Sequence, residues 1–211
     1  MRTSLSTPKE EEMRCYAICF IFASATIVSL NVNAAERLVS KDAKGAWMTA
    51  TPIEVDAAIQ HILKAEPYHH LRKDPVARLE LATKLVKVTE AQGVPPLFAL
   101  SIVFRESDFD EKAVGALGEL GLMQVGKFNV VRRDCDMSNA EGQMTCGTRM
   151  LREAYDLCGT WTGALTRYAT KAGKCKSDDP SVQSKIKIRL RDWQHLSIAV
   201  QAQLYEQGSE E

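Results

Sequence analysis

Past residue 50, apolar positions recur three and four residues apart, in segments cut by prolines and glycines; that spacing predicts a chain that is nearly all helix. Thr51-Pro52-Ile53-Glu54 is a capping box with proline in the first turn, opening a helix to about Lys64. Asp74-Pro75 repeats the device, and the helix it opens stops at Gly93. Pro95-Pro96 restarts the chain, and Leu97 to Phe104 is then apolar on all sides, as in a helix buried in the middle of a domain. A strand is the rival for so short a run; the two prolines and the helix-like polar residues that follow favour helix. Glu141 to Leu157 predicts another helix, with Met144, Met150 and Leu151 as core contacts, and Trp161 to Thr170 follows the break at Gly159. Asp179-Pro180 caps the last helix, whose apolar stripe is Val182, Ile186, Leu190, Trp193, Val200 and Leu204. Lys185, Lys187, Arg189 and Arg191 flank that stripe and are expected to form a solvated face.

Composition narrows the class. A chain of 211 residues suits one domain with a small extension, and can bury a real core. Its 27 Lys and Arg balance 27 Asp and Glu, so net charge gives no reason to expect nucleic acid or an anionic membrane as partner. Ala17 to Leu30 is an apolar run of signal-peptide length, too short for a comfortable membrane span. Val32-Asn33-Ala34 sets small residues where signal peptidase reads, so residues 1–34 are expected to be a signal peptide cleaved after Ala34. Glu10, Glu11 and Glu12 do not suit a positively charged leader, whereas a start at Met13 would read normally. The alternative is a retained anchor in the inner membrane. Cys15 and Cys19 would leave with the leader, and Cys135, Cys146, Cys158 and Cys175 remain. None has zinc-knuckle or redox-pair spacing, and an even set in an exported chain indicates two disulfides. Of the three possible pairings, the two local ones are favoured: Cys135 with Cys146, and Cys158 with Cys175.

The chemistry gathers between Arg105 and Gly126. Glu106 ends the apolar helix, so one side of it is expected to face packed hydrocarbon. Burial of a carboxyl favours the protonated acid, the form that gives a proton to a leaving group. Once deprotonated, the same group takes a proton back, and the pair of steps is the chemistry of glycosidic cleavage. Gly115, Gly118 and Gly121 permit tight turns and close approach of backbone to a bulky ligand. Gln124 supplies a donor and an acceptor for sugar hydroxyls or N-acetyl groups. Taken alone these features are thin, because a glutamate at a helix end is more often a surface residue.

The pattern Glu106-Ser107-x-Phe109, then Ala113, then Gly118-x-x-Gly121-Leu122-Met123-Gln124, resembles the signature of the soluble lytic transglycosylases, relatives of goose-type lysozyme that cut peptidoglycan glycan strands. Gln143 to Leu151, with Gly147 at its centre, and Ala164 to Tyr168 are similar to two later motifs, so the resemblance runs from about Asp74 to Cys175. It implies a mainly α, lysozyme-like helical domain with a small loop or β-hairpin at the cleft, over residues 73–211, behind a helical extension at 35–72. It implies Glu106 as acid and then base, Ser107 orienting it, and Gly121, Gln124 and Tyr168 at the sugar, with Phe109 and Met123 packing beneath. Three departures put substrate contacts in doubt: Gly115 stands for a common serine, Gln143 for a common asparagine, and Ala169 for the asparagine after the tyrosine.

An inverting hydrolase needs a second carboxylate to activate water. Goose-type lysozymes have an aspartate two residues past the motif glutamine, where this chain has Gly126; of the remaining candidates, Asp108, Asp110 and Glu111 lie just past the helix end and are expected to be solvated, while Glu119, flanked by Gly118 and Gly121, could approach the cleft. The substrate's own muramyl 6-hydroxyl is then the expected nucleophile, giving 1,6-anhydromuramyl ends. The competing readings are a lysozyme-like muramidase and a non-catalytic peptidoglycan-binding component of an envelope-spanning secretion or phage machine. His61, His69 and His70 lack metal-ligand spacing, and neither a metal nor a cofactor is implied. The expected setting is the periplasm or cell envelope, the expected state a monomer, and the expected partner a glycan strand.

Overall fold

Eight helices account for the extended regular structure among the described residues, 49–66, 69–170 and 173–208 of a computed structural model. The expected signal peptide and residues 35–48 lie outside them. Helices α1 (Pro52–Leu63), α3 (Pro75–Gln92) and α4 (Pro96–Ser107) start and stop within a residue or two of the sequence signals. Thr51 and Glu54 close the capping box reciprocally, and Asp74 Oδ1 accepts from Ala77 N at 2.9 Å. Between α1 and α3 sits the short α2 (His70–Lys73), and α5 (Lys127–Arg132) follows the glycine-spaced loop. Neither was expected: four and six residues are too few to show a helical period in sequence. Helices α6 (Ala140–Cys158), α7 (Trp161–Ala169) and α8 (Pro180–Gly208) complete the set, and the strand alternative for the run at Leu97 is excluded.

α4 is the centre. Every residue from Pro96 to Val103 is buried, which requires neighbours on all sides, and α1, α3 and α8 supply them. Phe98 is fully buried, with Trp161 of α7 and Trp193 of α8 at ring-centroid distances of 5.2 and 5.0 Å. Burying each such large apolar side chain contributes about 1.5–3 kcal/mol. α1 joins the same core through Val55, Ala58, Ile59 and Leu63. Arg78 of α3 is buried as well: its Nε meets Asp56 Oδ1 at 2.6 Å, and its Nη1 donates to Leu71 O at 3.2 Å, tying α1, α2 and α3 together.

One charged residue departs from expectation. Lys185, Lys187 and Arg191 are exposed as anticipated, but Arg189 is buried. The large buried side chains of α8 run Ile186, Arg189, Trp193, Leu196 and Val200, alternating steps of three and four, with the small Ser197 buried beside them, and Arg189 occupies a core position in that series.

Both bridges are the local ones, Cys135–Cys146 and Cys158–Cys175. The first ties the segment after α5 onto α6, and the second ties the end of α6 to the segment that leads into α8. Peptide mapping without reduction is expected to return these two pairs, and a Cys146–Cys158 linkage would contradict the fold. Replacing Cys158 and Cys175 together by serine is expected to cost about 3 kcal/mol, by loop-closure entropy. That should lower the thermal midpoint by about 6–12 °C.

Candidate active site

The site is built where α4 ends. Asp108 caps the helix in the left-handed region at φ 51°, its N–H bonded to Phe104 O at 2.9 Å, and Phe109 follows at φ 64°. Two consecutive non-glycine residues with positive φ cost on the order of 1–3 kcal/mol each, so the surroundings must hold them. Phe109 is buried against Phe104, ring centroids 5.8 Å apart, and meets the edge of His69 at 5.7 Å. His69 Nδ1 accepts from Leu71 N, which puts the ring proton on Nε2, and Nε2 donates to Asp108 O at 2.9 Å. His69, which its spacing excluded as a metal ligand, therefore holds the turn just beyond Glu106.

The glycine-spaced loop folds back onto this turn. Antiparallel bridges Val114–Leu120 and Leu120–Val125 form a small β-like meander, the expected hairpin in its shortest form. Ser107 Oγ donates to Leu122 O at 2.9 Å, with Val103 O at 3.1 Å, so Ser107 ties the helix to the loop. Gly121, at φ 69°, lies so close to Gln143 that a Cβ would stand 2.2 Å from its Oε1. Gln143 uses its whole amide on this segment: Oε1 accepts from Leu122 N at 2.9 Å, and Nε2 donates to Glu111 O and Met137 O at 3.0 and 3.1 Å. Gly121 thus serves the packing of the loop on α6. Met123 is fully buried against Gly147, where a Cβ would meet its Sδ at 2.4 Å.

Gln124 Nε2 donates to Gly121 O and Ala113 O at 3.0 and 3.2 Å. Glu119 Oε2 accepts from Leu117 N at 3.0 Å. Both side chains converge on Gly115, where an added Cβ would come within 2.4 Å of Gln124 Oε1 and 2.6 Å of Glu119 Oε2. The missing side chain at Gly115 therefore leaves the room that both groups occupy.

Glu106 does not face hydrocarbon alone. Its Oε1 accepts from Arg189 Nη2 at 2.5 Å, with side-chain exposures of 20% for the glutamate and 10% for the arginine. One residue earlier, Arg105 reaches Asp192 with Nε–Oδ2 at 2.6 Å, so α4 and α8 are joined by two neighbouring ion pairs of opposite polarity. Tyr168 completes the group, its hydroxyl donating to Met123 O at 2.6 Å. Burial pushes the Tyr168 phenol well above its ordinary range and the charge of Glu106 adds to this, while Arg189 opposes it. Both the burial and the hydrogen bond to Met123 O keep Tyr168 in its protonated, donating form.

The structure thus brings Glu106, Ser107, Tyr168 and the Gly121–Gln124 segment together, and places Phe109 and Met123 in the core. Sequence reasoning missed Arg189. Its signal was available in the spacing to Ile186 and Trp193, and was hidden by three exposed basic neighbours.

A family model described as Transglycosylase SLT domain matches residues 84–190, a span that holds the loop, Tyr168, Glu106 and Arg189. The chain belongs to this family. An SLT domain indicates transglycosylase-type activity on peptidoglycan, a substrate outside the cytoplasm, and two disulfides suit the same oxidising side. No curated protein matches the chain. In this SLT domain the Met123–Gly147 contact gives the first test of the loop's seating. Gly147→Ala should cost about 1–3 kcal/mol by overpacking. Glycan cleavage should fall further than the loss of folded protein accounts for; cleavage that merely tracks the folded fraction would contradict the loop's role. Tyr168→Phe should cost about 1–3 kcal/mol, because the buried Met123 carbonyl loses its donor.

Proposed function

We propose that the protein is a lytic transglycosylase that cleaves the MurNAc-β-1,4-GlcNAc bond of exported peptidoglycan and leaves 1,6-anhydromuramyl ends. The observation that carries this is the placement of Glu106 at the end of a helix buried from Pro96 to Val103, next to Ser107, which bonds the loop at Leu122, all within the span that the family model matches. Glu106 protonates the leaving glycosidic oxygen. The bond to the anomeric carbon breaks with its electron pair on that oxygen, and positive charge builds on the muramyl ring. The muramyl 6-hydroxyl then attacks the anomeric carbon, and the Glu106 carboxylate takes its proton, which regenerates the acid. Intramolecular attack carries a large effective-concentration advantage when the geometry is right.

Gln124 and Tyr168 line the sugar site in this proposal, while Ser107 and Gly121 act through the loop that they seat. Two features favour the intramolecular route over hydrolysis: position 126 is glycine, and Glu119 is held within its own loop by Leu117 N, beside Gly115 and Gln124. The non-catalytic alternative, a binding component of an envelope machine, has no need of a carboxyl held at the end of a buried helix. A leader over residues 1–34 and a periplasmic setting belong to the same proposal, with residues 73–211 as the catalytic domain.

Glu106→Gln should fold at some cost in stability, because the buried Arg189 loses its charged partner, and its folded fraction should lose about a hundred- to ten-thousand-fold of the cleavage rate, since the amide has no acidic proton. Undiminished clearing of a sacculus suspension by that variant would remove Glu106 from the mechanism. Mass spectrometry of the muropeptides released by wild type should show anhydro ends. A majority of products one water heavier, with reducing ends, would make the protein a muramidase and point to Glu119.

A further inference from the structure

A carboxyl that must deliver a proton is here in contact with a cation. Arg189 is buried, and its Nη2 lies 2.5 Å from Glu106 Oε1. The guanidinium is not saturated: Nη1 reaches Lys185 O at 3.3 Å, and Nε is buried with no partner among the described residues. Several other charged and polar groups around α4 have partners of their own. Arg105 is bound to Asp192 of α8, and Arg78 of α3 to Asp56 of α1. Tyr168 of α7 gives its proton to Met123 O, His69 gives its own to Asp108 O, and Glu119 of the loop accepts from Leu117 N. Arg189 is therefore the cation in direct contact with Glu106 among the described residues.

A planar guanidinium in contact with a carboxylate fixes its orientation. We propose that Arg189 is a positioning residue for the acid: it holds the Glu106 side chain in the orientation from which it reaches the glycosidic oxygen. The inference rests on Glu106 being the acid.

The test is kcat and KM on soluble, uncrosslinked glycan strands, followed by release of muropeptides and expressed per folded molecule from circular dichroism. In Arg189→Gln kcat should fall about tenfold to a hundredfold with KM little changed, because a misplaced acid fails in the transition state and not in binding. In Arg189→Lys part of that loss should return, because the ammonium keeps the charge but loses the planar contact. A purely structural role predicts unchanged kcat per folded molecule in both variants. If Arg189→Gln does not fold, kcat of Arg189→Lys decides alone. Wild-type kcat per folded molecule in every folded variant overturns the proposal. Glu106→Gln run alongside separates the two claims: its full activity removes the acid assignment, whereas its inactivity with wild-type kcat in the Arg189 variants removes only the role of Arg189.

Discussion

The constraint on which the rest depends is the burial of α4 on every face. A helix with no polar side cannot lie on a surface, so the chain must wrap it, and α1, α3 and α8 do so with Phe98, Trp161 and Trp193 meeting at one point. The helix can reach solvent only at its ends. Its last turn is where Phe104, Arg105, Glu106 and Ser107 become partly exposed, and the one buried-helix carboxylate is delivered to that edge. Packing, rather than any local preference of glutamate, puts the candidate acid where it is.

Close approach does the remaining placement. Beyond Glu106 the backbone turns through two left-handed residues, held by a buried phenylalanine and a histidine hydrogen bond. The loop can then fold back because Gly121 leaves room for Gln143, and Gly147 leaves room for Met123. Polar groups bury here without penalty because they are matched: the Gln143 amide uses both ends, and Met123 O receives the Tyr168 hydroxyl. The Glu106–Arg189 pair is different in kind. Removing one partner of a buried ion pair costs about 3–5 kcal/mol, mostly from the charge left behind, so its presence says more about the site than about stability.

Much of this was legible in the sequence. Caps and breakers placed α1, α3 and α4 because Thr51, Asp74 and Gly93 act through local hydrogen bonds and local backbone geometry. The local disulfides and the motif loop were legible for the same reason. What escaped was non-local. Arg189 looked like one of four solvated basic residues, and only the side of α8 that faces α4 tells it from Lys187 and Arg191. His69 looked unremarkable because its partner, Asp108 O, lies 39 residues away. The service of Ser107 and Gly121 to the loop, rather than directly to a sugar, likewise depends on contacts with Leu122 and Gln143 that spacing does not reveal.

The central claim is that the end of α4 is where the glycosidic bond is broken. A crystal structure of the Glu106→Gln protein with a bound muramyl–glucosaminyl tetrasaccharide addresses it without relying on rates. The account predicts the scissile oxygen within about 3 Å of the residue 106 amide, the distance that direct proton transfer requires. The glycan should lie across the Gly121–Gln124 segment. A strand bound elsewhere on the domain, or one crossing the loop with every glycosidic oxygen out of reach of residue 106, would contradict it.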